Sequence, residues 1–177
     1  MNQKSLFLFL CITLVACNAK AQRYSTSSNF NFSAGILEKG YTANFGYEKF
    51  FTSKTSLSIG ANYLNRTQKI KNVSTNAELS SYFLDAKYKF YPMEQRSIFP
   101  YLGGGFFGGY QTFDNKKNYP QTLKIGLDDS IIYGIIGEVG IEYNILSFSF
   151  VLNATPLYEI KTEKILLPIR LGMKYFY

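Results

Sequence analysis

Histidine and tryptophan are absent from this 177-residue chain, and its only two cysteines, Cys11 and Cys17, fall near the start. Without histidine, the usual general base for an activated serine is missing. With no histidine and no cysteine after position 17, the common N/S metal-ligand sets are missing as well. A domain beginning later has no disulfide to draw on. No apolar run approaches the ~20 residues of a membrane-spanning helix. There is also no Lys/Arg-rich block, although the net charge is +7. The basic residues alternate with aromatics, so they read as solvated strand faces rather than a nucleic-acid surface, and no direct nucleic-acid partner is expected. Asp128-Asp129-Ser130 is the nearest thing to a catalytic cluster and reads more simply as a loop turn or strand cap. Calcium at Asp114, Asp128 and Asp129 finds no supporting loop spacing. No enzyme, metal or cofactor is expected.

What the chain does have is aromatic residues, 15 Tyr and 16 Phe, and an export-like start. Lys4 precedes an apolar stretch from Leu6 to Ala16. Ala19-Lys20-Ala21 then supplies a small-x-small cleavage site, so residues 1–21 read as a signal peptide cut between Ala21 and Gln22. Leu14-Val15-Ala16-Cys17 also resembles a bacterial lipobox, which keeps lipidation at Cys17 as the alternative. Removing the leader takes Lys4 and Lys20 from the net charge of +7 and leaves +5 for a single domain over 22–177.

From Gln22 onward a two-residue period recurs and no helical one competes. A first strand over 29–37 sets Phe30, Phe32, Ala34 and Ile36 against Asn29, Asn31, Ser33 and Gly35. After a tight turn at 38–40, a second over 41–50 sets Tyr41, Ala43, Phe45 and Tyr47 against Thr42, Asn44, Gly46 and Glu48. A third is expected over 56–66, and a fourth over 79–91 in which Tyr82, Leu84, Ala86, Tyr88 and Phe90 oppose Asp85, Lys87 and Lys89. The fifth, 98–113, is rich in glycine. In the sixth, 131–143, Tyr133, Ile135, Val139, Ile141 and Tyr143 face away from Glu138 and Glu142. The seventh covers 146–158. The eighth, 165–177, sets Ile169, Leu171, Met173, Tyr175 and Tyr177 against Pro168, Arg170, Gly172, Lys174 and Phe176.

Eight strands in meander order, long connections at 67–78, 114–130 and 159–164, and short ones at 52–55, 92–97 and 144–145 follow the habit of outer-membrane barrels. Only the compact first hairpin departs from it. The expected fold is all-β: an eight-stranded antiparallel up-and-down transmembrane β-barrel in the bacterial outer membrane, in contact with its lipid. Asp85, Lys87, Lys89, Glu138, Glu142, Arg170 and Lys174 would then pair inside a lumen too narrow for DNA. A soluble eight-stranded cup with the opposite face inward shows the same alternation.

The ending separates the two. Arg170, Gly172, Tyr175 and Tyr177 match a polar-x-Gly-x-x-aromatic-x-aromatic pattern by which barrel-assembly machinery takes up outer-membrane substrates, a form of strand addition. That machinery is therefore an expected partner.

The stretches GYTANFGYEKFF, GGGFFGGYQTF, IIYGIIGEVGIEYNI and RLGMKYFY, in this order over about 40–177, resemble the TraO family of Bacteroides-type conjugative transposons. The resemblance implies a component of a conjugal transfer apparatus at the outer membrane, partnered by other conjugation proteins and without catalytic residues. The 114–130 region is shorter here than in that pattern. Its Lys116, Lys117 and Tyr119 are the candidate contact residues. The runner-up is a generic small barrel acting as an adhesin or ligand-binding surface protein.

Overall fold

The computed structural model describes residues 27–69, 76–93, 97–113, 130–145 and 147–177. The residues 1–21 expected to form a signal peptide, with Cys17 and Ala21 among them, and Gln22 lie outside them, as do Lys116, Lys117, Tyr119 and the three loop aspartates. Ten strand segments are present: β1 (Ser28–Leu37), β2 (Gly40–Phe50), β3 (Thr55–Lys69), β4 (Asn76–Phe90), β5 (Ile98–Phe113), β6 (Ser130–Ile145), β7 (Phe148–Ala154), β8 (Leu157–Glu159), β9 (Lys164–Leu166) and β10 (Ile169–Phe176).

They make eight strands. Thr155-Pro156 separates β7 from β8, and Leu167-Pro168 separates β9 from β10, because proline has no N–H to give a ladder. The register runs through both interruptions: Val139 faces Ala154 and Ile136 faces Leu157, three residues on along each chain. Thr155 N donates to Pro168 O at 2.9 Å and Gly137 N to Pro156 O at 2.8 Å, so the remaining donors there stay satisfied.

Each strand pairs antiparallel with the next, and β1 pairs with β10 from Asn29↔Phe176 to Ile36↔Ile169, closing the sheet. Closure removes sheet edges, which is what a backbone in lipid requires. The strands reach further toward the long connections than the sequence period indicated. β3 ends at Lys69 and β4 begins at Asn76. The two-residue Glu38-Lys39 turn joins Leu37 to its partner Gly40, so the first hairpin is as tight as expected.

The charged residues of the strand centres face inward and the exposed wall between the ends is apolar, which excludes the soluble cup. Phe32, Leu84, Phe106, Leu171 and Ile135 stand exposed on the outer wall. Toward the long connections the wall carries a belt of tyrosines: Tyr41, Tyr63, Tyr82, Tyr110, Tyr133 and Tyr158. Neighbouring rings touch, Tyr41 to Tyr63 at 5.8 Å and Tyr63 to Tyr82 at 5.1 Å between centroids. Near the termini Phe30 stacks on Tyr177 at 5.4 Å and Phe148 meets Tyr175 at 5.2 Å. Along β4 the outward face runs from Tyr82 to Phe90. Eight steps of about 3.4 Å, tilted by about 40°, rise roughly 20 Å, near the ~25 Å apolar band of such barrels.

Candidate functional site

The lumen is the place where functional side chains converge, and it is layered along the barrel axis. At the end that holds the termini, Phe50, Tyr91, Phe99, Tyr101 and Val151 form a buried aromatic layer, with Phe176 against it. Tyr91 lies 5.3 Å from Phe50 and 5.2 Å from Tyr101, centroid to centroid. Glycine makes one of these placements possible. A Cβ at Gly140 would lie 2.7 Å from the Tyr101 ring, so only glycine lets that ring cross the lumen.

The hydroxyls of this layer reach into a charged one. Tyr91 Oη lies 2.7 Å from Glu48 Oε1 and 2.9 Å from Glu142 Oε1, and Lys174 Nζ donates to it at 3.2 Å. Tyr101 Oη donates to Glu138 Oε1 at 2.7 Å and accepts from Asn153 Nδ2 at 3.2 Å. Lys174 bridges Glu48, at 2.5 Å, and Glu142. Lys89 Nζ sits 3.1 Å from Glu138 Oε1 and 3.8 Å from Glu48 Oε2. Lys87 Nζ sits 2.7 Å from Glu138 Oε2 and 3.2 Å from Asp85 Oδ1. Asn62 donates to Asp85 at 2.5 Å, and Asn44 to Asn62 at 3.0 Å. Arg170 Nη2 donates to Thr42 Oγ1 at 3.2 Å.

Beyond the charges, Leu64, Phe83, Phe107, Ile132, Ile136 and Leu157 form an apolar plug toward the long connections, and Arg66 pairs with Glu159 at 3.6 Å on its far side. Gln111 Oε1 accepts from Arg66 at 3.2 Å and from Ser81 at 3.3 Å. Apolar side chains thus share the interior with the charged residues that the sequence placed there. A narrow lumen can be filled by any side chains that pack, and here apolar layers lie on both sides of the central charges, with the Arg66–Glu159 pair beyond one of them.

The seven charged residues singled out in the sequence, Asp85, Lys87, Lys89, Glu138, Glu142, Arg170 and Lys174, all lie buried in this lumen. Glu48, Arg66 and Glu159 join them. Among the described residues the buried charges are thus five carboxylates (Glu48, Asp85, Glu138, Glu142, Glu159) and five cations (Arg66, Lys87, Lys89, Arg170, Lys174), a neutral set. Glu48 was detectable from its place on the polar face of the second strand. Glu159 lies just past the seventh strand as the sequence delimited it, beyond Pro156. In the terminal pattern Arg170 and Gly172 face inward, while Tyr175 and Tyr177 stand on the outer wall.

Chemically, this arrangement holds the barrel together and closes it. Its carboxylates are engaged by lysines and hydroxyls. Among the described residues no group of three or more Asp, Glu, Cys or His could hold a metal ion. The interior voids measure only about 20 and 10 Å³, room for a water molecule and not for a channel.

A closed eight-stranded meander with charge inside and oil outside is a β-barrel of the transmembrane class. No protein-family model and no curated protein matches the chain. Solved structures do. Over 88% of this chain the fold is similar to the outer membrane protein OprG from Pseudomonas aeruginosa, at a TM-score of 0.64, 13% identity and 97% of that chain. It is similar to the N-terminal β-barrel domain of Pseudomonas aeruginosa OprF, at a TM-score of 0.59 and 16% identity, over 88% of this chain and all of that one. It is also similar to Ail, the attachment invasion locus protein of Yersinia pestis, in complex with the heparin analogue sucrose octasulfate. That match has a TM-score of 0.58 and 12% identity, again over 88% of this chain and all of that one. At such identities the likeness is one of fold.

Proposed function

We propose that the protein is a non-enzymatic β-barrel of the bacterial outer membrane that serves a conjugative transfer apparatus through its surfaces, as the TraO resemblance implies. The observation that carries the surface role is the filled lumen, whose described voids of about 20 and 10 Å³ leave no room for DNA. What it offers a partner is its outer loops, its turns beside the termini and its lipid-facing wall. The assembly machinery engages the closing strand, and other conjugation proteins engage the loops or the turns.

Deleting the gene tests the reading: conjugal transfer falls sharply while growth and permeability stay unchanged. Alanine at Lys116, Lys117 and Tyr119 then asks which surface is used. Lost transfer at normal barrel levels puts the contact on the outer loop, and normal transfer puts it on the periplasmic side. Normal transfer in the full deletion ends the conjugation reading.

A second reading, an adhesin or ligand-binding surface protein, is favoured by the fold shared with Ail, whose structure holds a sulfated sugar. Retention of cells on heparin beads, lost on deletion and with transfer intact, would select it.

A further inference from the structure

Four of the five buried cations have a carboxylate within ion-pair distance: Arg66 with Glu159, Lys87 with Asp85 and Glu138, Lys89 with Glu138 and Glu48, and Lys174 with Glu48 and Glu142. Arg170 has none among the described residues. It is only 2% exposed, its Nη2 donates to Thr42 Oγ1, and its Nε has no partner. A guanidinium carries five donors and always its charge, so one so deeply buried and so little engaged is costly as it stands.

Beside it lies an interior cavity of about 20 Å³. Its polar lining includes Arg170, Lys87, Lys89, Lys174 and Asn31, with Glu138 the one carboxylate, and Asn31 Nδ2 is a second buried donor without a partner. Cations and unmet N–H groups outnumber the single carboxylate, Glu138, whose Oε2 also lacks a hydrogen-bond partner, around a void large enough for one water-sized particle. The neutral total of the lumen does not relieve this, because Asp85 and Glu138 are already held by Lys87.

We propose that this cavity is a binding site for one small inorganic monovalent anion of halide size, chloride under ordinary conditions. Arg170 Nε and Asn31 Nδ2 are its donors, and the neighbouring lysines supply the field. Charge-assisted bonds from a guanidinium to an anion are among the stronger hydrogen bonds available. The cavity is too small for sulfate or phosphate. The ion enters as the barrel closes and serves as the missing counter-ion of Arg170. It is a structural ligand, independent of what the loops bind.

Crystals of the refolded full-length mature protein grown in bromide are the test, read by anomalous scattering. The expected result is a bromide peak within hydrogen-bonding distance of Arg170 and Asn31. A water peak there with no anomalous signal overturns the proposal. Asn31→Asp provides a second reading that keeps the Arg170 side chain, because it replaces a donor to the ion by a carboxylate that repels it. In that variant the bromide peak disappears, and the unfolding midpoint in urea no longer rises when chloride replaces fluoride, as it does in the wild-type chain. An equal response of the two chains to chloride also overturns the proposal.

Discussion

Replacing Glu138 by alanine removes the carboxylate that the charged layer is built around. It is 5% exposed and takes contacts from Lys87 at 2.7 Å, Lys89 at 3.1 Å, Tyr101 Oη at 2.7 Å and Asn153 at 3.2 Å. Afterwards the remaining ion pairs of these two lysines are Lys87 with Asp85 and the 3.8 Å approach of Lys89 to Glu48. Leaving a buried charge without its partner costs about 3–5 kcal/mol. With an unfolding slope of about 2 kcal/mol per molar urea, the midpoint should fall by roughly 2 M. Glu163→Ala is the control, because Glu163 is exposed in the turn before β9 and alanine keeps a Cβ on the same backbone, so the change stays within about 0.5 kcal/mol. The assay is urea unfolding in lipid vesicles, followed by far-UV circular dichroism and by tyrosine fluorescence, since the chain has no tryptophan. Replacing Glu138 and Lys89 together by apolar residues should cost less than Glu138→Ala alone, because the stranded cation goes too. Equal midpoints for Glu138→Ala and Glu163→Ala would refute the claim that the lumen charges form one interdependent network.

Gly140→Ala drives a methyl into the Tyr101 ring, which a Cβ there would approach to 2.7 Å, and should lower stability by about 1–3 kcal/mol in the same assay. Its companion Gly140→Ala/Tyr101→Leu should recover part of that loss. Glu163 has φ 52°, a left-handed conformation that disfavours a side chain, so Glu163→Gly should raise the unfolding free energy by up to about 1 kcal/mol. Removing Tyr175 to Tyr177 should leave the chain unassembled and degraded in the periplasm. A truncated chain that still reaches the outer membrane in heat-modifiable, protease-resistant form would reduce those residues to an ordinary strand end. Mass spectrometry of the mature protein should find Gln22 at its N-terminus, and a lipidated Cys17 would contradict that.

The barrel was legible because its strands obey one rule. On β6 and β10 every outward position is apolar, and on β1, β2 and β4 the mid-strand ones are, with Ser28, Lys49 and Glu78 among the departures toward the strand ends, so the two faces separate by inspection. Legibility stops where parity carries no contrast. On β5 glycines occupy both faces, and the adjacent Phe106 and Phe107 give no clue that the first faces out and the second fills the plug. On β6 Ile131-Ile132 and Ile135-Ile136 repeat the same problem. Ile132 and Ile136 share the parity of Glu138, yet their oiliness gave no reason to place them in a lumen expected to be polar. Pro156 and Pro168 interrupt the ladder without shifting register, so the reach of the seventh strand to Glu159 shows only when its partner Gly134 is known. Hydroxyl contributions such as those of Tyr91 and Tyr101 depend on which way a ring crosses the lumen, a matter of packing rather than period.

The central claim, that the oily face of these strands meets lipid and the charged face does not, can be measured by nitroxide accessibility. Residues 22–177 contain no cysteine, so single cysteines at Ala34, Leu84 and Leu171 in a chain of those residues can be labelled without background, with Lys39 in the first turn as the exposed reference. In phospholipid vesicles the account predicts that oxygen, which dissolves in the bilayer, relaxes the labels at Ala34, Leu84 and Leu171 strongly. A water-soluble nickel reagent should reach only Lys39. Equal access of the nickel reagent to all four positions would contradict it.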